Sequence, residues 1–163
     1  MRIQVIAIGM KMPAWVDTAV KDYARRLPPT WRVDWRELRA ENRSSAGTGA
    51  VDVCRQREAA RIRASIPGAA RLVALDEHGV DEDSLAFAQR LRRWQDDGRD
   101  TAIIIGGPDG LDRSLLDSAE EKLRLSSLTL PHALVRVLLA EQLFRAWSIL
   151  NHHPYHRGTP ERG

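Results

Sequence analysis

Thr101-Ala102-Ile103-Ile104-Ile105, broken at once by Gly106-Gly107-Pro108-Asp109-Gly110, constrains the fold of this chain more than any other segment. A strand with one wet face alternates apolar and polar residues. An almost unbroken apolar run predicts a strand covered on both faces, as in a parallel sheet packed between helices. Ile3 to Ile8, ended by Gly9, reads as a first strand, and Arg71 to Leu75 as a short buried one. Between these runs the apolar period changes to that of a helix. Pro13 suits the first turn of a helix through about Leu27, with Trp15, Val16, Ala19, Val20 and Tyr23 at helical spacing. Trp31 to Leu38 alternates as a half-exposed strand does, a helix follows to Ile66, and Pro67-Gly68 ends it. Asp81 to Asp97 reads as an amphipathic helix stopped at Gly98, and Leu123 to Leu125 as another apolar strand end. Alternating strands and helices predict an α/β fold with a mostly parallel sheet flanked by helices, and residues 1–163 form one domain.

Composition excludes several classes. No stretch approaches the ~20 apolar residues of a membrane span, and the N-terminus reads as a strand rather than a signal peptide. The single cysteine, Cys54, excludes an internal disulfide, fits a reducing cytoplasm and reads as a small half-buried helix residue. A net charge of +3 is too small to imply nucleic acid. Its distribution says more: residues 1–70 carry 13 Lys/Arg against 7 Asp/Glu, and residues 71–163 carry 12 against 15. A basic half of this kind suits an RNA-docking face. Because 22 of the 25 basic residues are Arg, solvated surface arginines remain an equal reading. Residues 39–49 are polar and read as a loop; Gly47-Thr48-Gly49 lacks the third glycine and preceding strand of a dinucleotide fingerprint.

Ligands of open α/β sheets bind outside the carboxyl ends of the strands. Here those ends carry Leu75-Asp76, Gly106-Gly107 and Ser126-Ser127-Leu128-Thr129-Leu130-Pro131. Adjacent glycines let the main chain approach a planar ligand, and a side chain at Gly107 is expected to intrude on it. Taken alone, the glycine segment is more often just a turn, and Ser126 to Pro131 is equally well a helix start. The helix from Pro131 to about Asn151 is apolar on more than one side, so burial against its sheet and a second copy of the chain is expected. Glu141 and Arg145 form an i,i+4 pair; Arg136, alone among Leu139, Ala140, Leu143 and Trp147, either snorkels, pairs at an interface or serves a substrate site. The tail Asn151-His152-His153-Pro154-Tyr155-His156-Arg157 lacks a Cys or carboxylate to complete a metal site, so no metal is expected.

The order of strand, glycine loop, strand, Ser/Thr/Leu loop, apolar helix and His/Tyr/Arg tail resembles the ribosomal RNA large subunit methyltransferase H family of the SPOUT class. Gly9-Met10-Lys11-Met12-Pro13, Trp15, Tyr23, Arg26, Leu75-Asp76 and Trp94 to Gly98 extend the likeness over nearly the whole chain, weakening only around residues 39–70. The resemblance implies a C-terminal trefoil knot and S-adenosylmethionine held by Leu75, Gly106, Gly107 and Ser126, Ser127, Leu128, Thr129, Leu130 and Pro131. It implies N3 methylation of a pseudouridine in large-subunit ribosomal RNA, on assembled ribosomes in the cytoplasm, by a homodimer. The tail, contributed by the partner subunit, would cover the active site, with Tyr155 stacking or hydrogen-bonding, Arg157 holding a phosphate and His156 assisting proton removal. N3 of pseudouridine is a protonated imide, so a base is expected, and His132 and His156 are both candidates. The extension Gly158 to Gly163 departs from the family pattern. Alternative readings are a SPOUT enzyme acting on another RNA such as tRNA, a ribosome-associated RNA-binding protein without catalysis and, more weakly, a nucleotide sensor.

Overall fold

The computed structural model describes residues 1–42 and 49–158, and the side chains of Arg157 and Gly158 are outside that description, as are Arg43, most of the 39–49 loop and the extension from residue 159. Five strands, β1 (Arg2–Ile8), β2 (Arg32–Leu38), β3 (Arg71–Asp81), β4 (Thr101–Ile105) and β5 (Glu121–Arg124), form one parallel sheet in the order β2-β1-β4-β3-β5. Five helices connect and follow them: α1 (Ala14–Arg26), α2 (Ala50–Arg63), α3 (Ser84–Asp97), α4 (Arg113–Ser118) and α5 (His132–Leu150). A short 3-10 turn, Pro154–Gly158, closes the described chain.

The unbroken apolar strands are explained by two cores. Ile3, Val5, Ala7, Val73, Ile103 and Ile105 face α3 and α5, packing on Leu91, Trp94, Leu139 and Leu143. Ile6, Ile8, Ala74, Ala102 and Ile104 face the opposite way onto Ala59 and Ile62 of α2 and Leu115 of α4. Every residue of β4 is buried, so neither of its faces is left wet. β2 lies at an edge and keeps its half-exposed pattern. Pro13 sits one position earlier than expected, as the N-cap of α1, and Cys54 is half-buried on α2.

The third strand departs most from expectation. Rather than ending at Leu75 and giving way to a helix at Asp81, β3 runs on to Asp81, and α3 begins at Ser84. Asp83 fixes that start by accepting a hydrogen bond from the Ala86 N–H at 2.8 Å. Leu123 of β5 pairs first with Leu75 and again with Val80, so residues 76–79 bulge outward. Gly79 permits the crossing: a Cβ there would lie 2.5 Å from the backbone carbon of Leu123.

α5 lies between α1 and α3, and Val16, Val20 and Ala140 form a small core of their own. Much of its two-sided apolar surface is therefore covered within the chain, which the expectation of a second copy did not anticipate. Leu134 remains 41% exposed. Arg136 is an intrachain tie: its guanidinium pairs with Glu37 of β2 and donates to the Gly9 carbonyl at 2.6 Å and the Ile8 carbonyl at 3.3 Å. A buried charge persists only when so partnered, and here it pins the carboxyl ends of β1 and β2 to α5.

Candidate functional site at the carboxyl end of the sheet

A cavity of about 250 Å³ opens where β4 and β5 end, beside the bulge of β3. Leu75, Asp76 and Glu77 form one wall, Ile105 to Pro108 with Gly110 and Leu111 a second, and Leu123 to Ser126 with Leu128, Thr129 and Leu130 a third; His132 and Val135 complete the lining from α5. Leu75, Gly106, Gly107, Ser126, Leu128, Thr129, Leu130 and His132 thus come together, while Ser127 and Pro131 belong to the same loop without lining the cavity. Pro131 is the N-cap of α5. The Ser126 hydroxyl accepts the Leu128 N–H at 2.9 Å, and the Leu128 side chain is left 75% exposed above the opening.

The two glycines do different work. Gly110 N–H donates to the Gly107 carbonyl at 2.9 Å, closing a tight turn. A Cβ on Gly106 would stand 2.6 Å from the Gly110 carbonyl carbon and 2.8 Å from Leu111 N, so only glycine fits the turn. A Cβ on Gly107 would point to Ile8 Cγ2 at 3.0 Å and Glu58 Oε2 at 3.2 Å, neither of which lines the cavity. The expectation that a side chain at Gly107 would enter the ligand space is corrected: it would press on the layer behind.

His132 is the titratable group best placed for proton chemistry. Its desolvation pulls the imidazole below its ordinary range and the Arg136 guanidinium acts in the same direction, partly offset by a hydrogen bond to the Gly107 backbone and by the Glu58 carboxylate. The ring is therefore neutral near pH 7. Its Nδ1 is buried with no hydrogen-bond partner among the described residues. A buried polar atom left unpaired in a cavity is a natural contact for a ligand.

The tail lies elsewhere. Tyr155 packs edge-on against Phe144 with ring centroids 4.7 Å apart, donates its hydroxyl proton to Glu141 at 3.0 Å and has the Arg145 guanidinium 5.2 Å from its ring centre. Desolvation, with help from Tyr23 and Glu141, raises its phenol above the ordinary range. His156 Nδ1 lies 3.0 Å from the Ser148 hydroxyl. Sixteen residues of helix separate Ser148 from His132, about 24 Å at 1.5 Å per residue. His156 is thus far from the cavity of its own chain, Tyr155, bonded to Glu141, does not line it, and the Arg157 side chain is outside the described residues.

Sequence reasoning put Asp76 at a ligand-facing strand end without counting it among the cofactor residues, and missed Glu77 as a cavity wall, Arg124 beside it and Glu58 behind the glycine loop. Leu75-Asp76 at a strand end was a usable signal for the first. Nothing local marks Glu58, one of two acidic residues on an arginine-rich helix. Among the described residues no group of three or more His, Cys, Asp or Glu is arranged to hold a metal, and no helix is long and apolar enough to cross a membrane.

A glycine turn, a leucine-rich loop and carboxylates gathered around one cavity on the carboxyl side of a parallel sheet mark an α/β domain with a ligand-sized site. A family model described as "Predicted SPOUT methyltransferase" matches residues 1–156. The chain belongs to the SPOUT methyltransferase family. It is 53% identical to the ribosomal RNA large subunit methyltransferase H of Bordetella petrii and 51% identical to that of Ralstonia pickettii, each over 96% of this chain and 99% of the relative. The protein of that name from Burkholderia thailandensis is 53% identical with the same coverage. Among solved structures, a probable methylase family protein from Haemophilus influenzae superposes with a TM-score of 0.58 at 11% identity, covering 98% of this chain and 72% of that one. A probable methyltransferase from Bordetella pertussis gives 0.50 at 17% identity, covering 88% and 95%. Both likenesses concern the fold.

Proposed function

We propose that the protein is an S-adenosylmethionine-dependent methyltransferase that methylates N3 of a pseudouridine in large-subunit ribosomal RNA, acting as a homodimer on ribosomes in the cytoplasm. The observation that carries the reading is the cavity at the ends of β4 and β5 beside the β3 bulge, in a chain matched over nearly its full length by relatives bearing that name. The residues fit the cofactor. Leu75, Leu128, Leu130 and Val135 offer apolar cover for an adenine ring, and the Gly106 turn leaves backbone groups free to read its edge. Asp76 and Glu77 suit the cationic end of the cofactor and Arg124 its carboxylate. Gly107, Ser126, Ser127, Thr129 and Pro131 shape the same cradle, and the knotted path of the SPOUT class would bring the Ser126 to Pro131 loop over it.

The bound cofactor supplies an electrophilic methyl group on a sulfonium. The chain's own task is to align the acceptor nitrogen and accept its proton; positioning of this kind is worth roughly 7–11 kcal/mol of barrier. His132, neutral and lining the cavity, is placed to take the N3 proton as the N–CH3 bond forms. The separation of about 24 Å along α5 supports a tail that serves the partner's cavity rather than its own, with Tyr155, His156 and Arg157 meeting the RNA there. Exposed Trp15, Met10 and Leu134 offer apolar surface for the dimer. Arg55, Arg57, Arg61 and Arg63 on α2 suit phosphate contacts. The test is methyl transfer from labelled cofactor to purified ribosomes, free ribosomal RNA and tRNA. Label on the large-subunit RNA of ribosomes supports the reading; label confined to tRNA replaces it with a tRNA enzyme, and cofactor binding without transfer to any of them with a binding protein.

A further inference from the structure

The way α5 ends decides which nitrogen of a tail histidine accepts a hydrogen bond. Asn151 caps the helix, and His152 adopts the left-handed region at φ 53°. The His153 N–H then donates back to the Ser148 carbonyl at 2.9 Å, and the His152 N–H to the Ile149 carbonyl at 3.4 Å. These are the two bonds of a Schellman stop, here built on a residue other than glycine. The stop folds the tail back onto Ser148, itself 0% exposed. The Ser148 hydroxyl lies 3.0 Å from the His153 carbonyl oxygen and 3.0 Å from His156 Nδ1.

A hydroxyl has one proton, and a backbone carbonyl can only accept. The Ser148 proton therefore goes to the His153 carbonyl. Sent to His156 instead, it would leave two oxygens facing each other through lone pairs, with the buried carbonyl losing its donor. Toward His156 the hydroxyl offers only a lone pair, so Nδ1 must bring the proton. In a neutral imidazole one nitrogen donates and the other accepts, and the bond made by the first fixes the second. His156 is thereby held as the Nδ1–H tautomer, with Nε2 as its accepting nitrogen. His153 is set the opposite way: its Nδ1 accepts the Tyr155 N–H at 3.2 Å, which leaves the proton of the neutral ring on Nε2.

We propose that Ser148 is a positioning residue for methyl transfer: it fixes the His156 tautomer so that the tail offers Nε2 as an acceptor to an N–H or O–H of the substrate RNA. The inference rests on the methyltransferase reading, in which the tail meets RNA at the partner's cavity and His132 takes the N3 proton. Orienting the nucleotide by an acceptor set before binding costs no reorganisation when the RNA arrives. A merely structural Ser148 would need only its bond to the His153 carbonyl. Such a role is indifferent to which His156 nitrogen carries the proton, and this separates the two accounts.

NMR of the isotope-labelled parent protein, above the midpoint of the His156 titration, reads the tautomers from the ring nitrogen and carbon shifts. The expected result is Nδ1–H for His156 and Nε2–H for His153. A His156 proton on Nε2, or spread over both nitrogens, overturns the proposal. Ser148→Ala removes the accepting oxygen. It should release the His156 tautomer, leave cofactor affinity by calorimetry unchanged and lower kcat on ribosomes about 2- to 12-fold, the factor one neutral hydrogen bond carries. An unmoved tautomer or an unchanged kcat in folded Ser148→Ala also overturns it. Should that variant fail to fold, the parent spectrum decides alone. That spectrum needs no turnover, so a parent inactive on ribosomes would defeat the methyltransferase reading without being mistaken for a wrong tautomer.

Discussion

Replacing Gly106 by alanine is the sharpest perturbation of the cofactor cradle. The new Cβ would lie 2.6 Å from the Gly110 carbonyl carbon, 2.8 Å from Leu111 N and 2.9 Å from the Gly110 oxygen. All three are backbone atoms, so no side chain can swing aside and the turn itself must open. Overpacking of this kind costs about 1–3 kcal/mol. For a chain of this size that is a melting temperature lowered by about 2–12 °C. Because the displaced turn is also a cavity wall, cofactor affinity should fall by about 5- to 150-fold if the same strain must be relieved on binding. Gly107→Ala is the internal control. Its Cβ meets Ile8 Cγ2 at 3.0 Å and Glu58 Oε2 at 3.2 Å, side-chain atoms that can give by a few tenths of an ångström. It should cost less in both assays. Thermal unfolding and titration calorimetry of the two variants decide the matter. Gly106→Ala with the parent's stability and affinity, or Gly107→Ala as damaging as Gly106→Ala, would refute the geometry.

Three further outcomes follow from named contacts. Arg136→Met removes the tie between α5, Glu37 and the Ile8 and Gly9 carbonyls; urea unfolding should show a loss of about 3–5 kcal/mol, the cost of breaking a buried pair from one side. Asp97 and Glu120, hydrogen-bonded by Arg99, both have carboxyls held below their ordinary range. Their contribution is complete above the unfolded carboxylate range and is lost as pH falls through the depressed folded values, so Glu120→Gln should flatten the acid limb of a stability–pH curve. Truncation after Asn151 should leave cofactor binding near that of the parent and abolish methylation of ribosomes. Mixing that protein with a Gly106→Ala variant, at a cofactor concentration too low to occupy the weakened site, should restore part of the activity when mixed dimers form, and no restoration in confirmed mixed dimers would place each tail over its own cavity.

How much of this could be seen in the sequence depended on whether local pattern or distant pairing decides a residue's place. β1, β4 and α5 were legible because Ile3 to Ile8, Thr101 to Ile105 and Leu134 to Leu150 carry their burial in their own periodicity. The cavity was legible through the order and spacing of Gly106-Gly107 and Ser126 to Pro131 at successive strand ends, not through either segment alone. The second half of β3 was not. Glu77-His78-Gly79 reads as a polar turn, and Val80 and Asp81 join the sheet only because Leu123 and Arg124, more than forty positions later, pair with them. The direction of the missing Gly107 side chain was equally hidden, since it follows from where α2 places Glu58. The two-sided apolar helix was read as needing a second copy, whereas α1 and α3 cover much of it within the chain.

The central claim is that this fold carries a methyl group to one pseudouridine of large-subunit ribosomal RNA. Mass spectrometry of nucleosides and mapped fragments from that RNA, in cells with and without the gene, tests it most directly. The account predicts that a single methyl on a pseudouridine disappears with the gene and returns with the intact protein, but not with the protein truncated after Asn151. Identical methylation in the two strains, or a loss confined to tRNA, would contradict it.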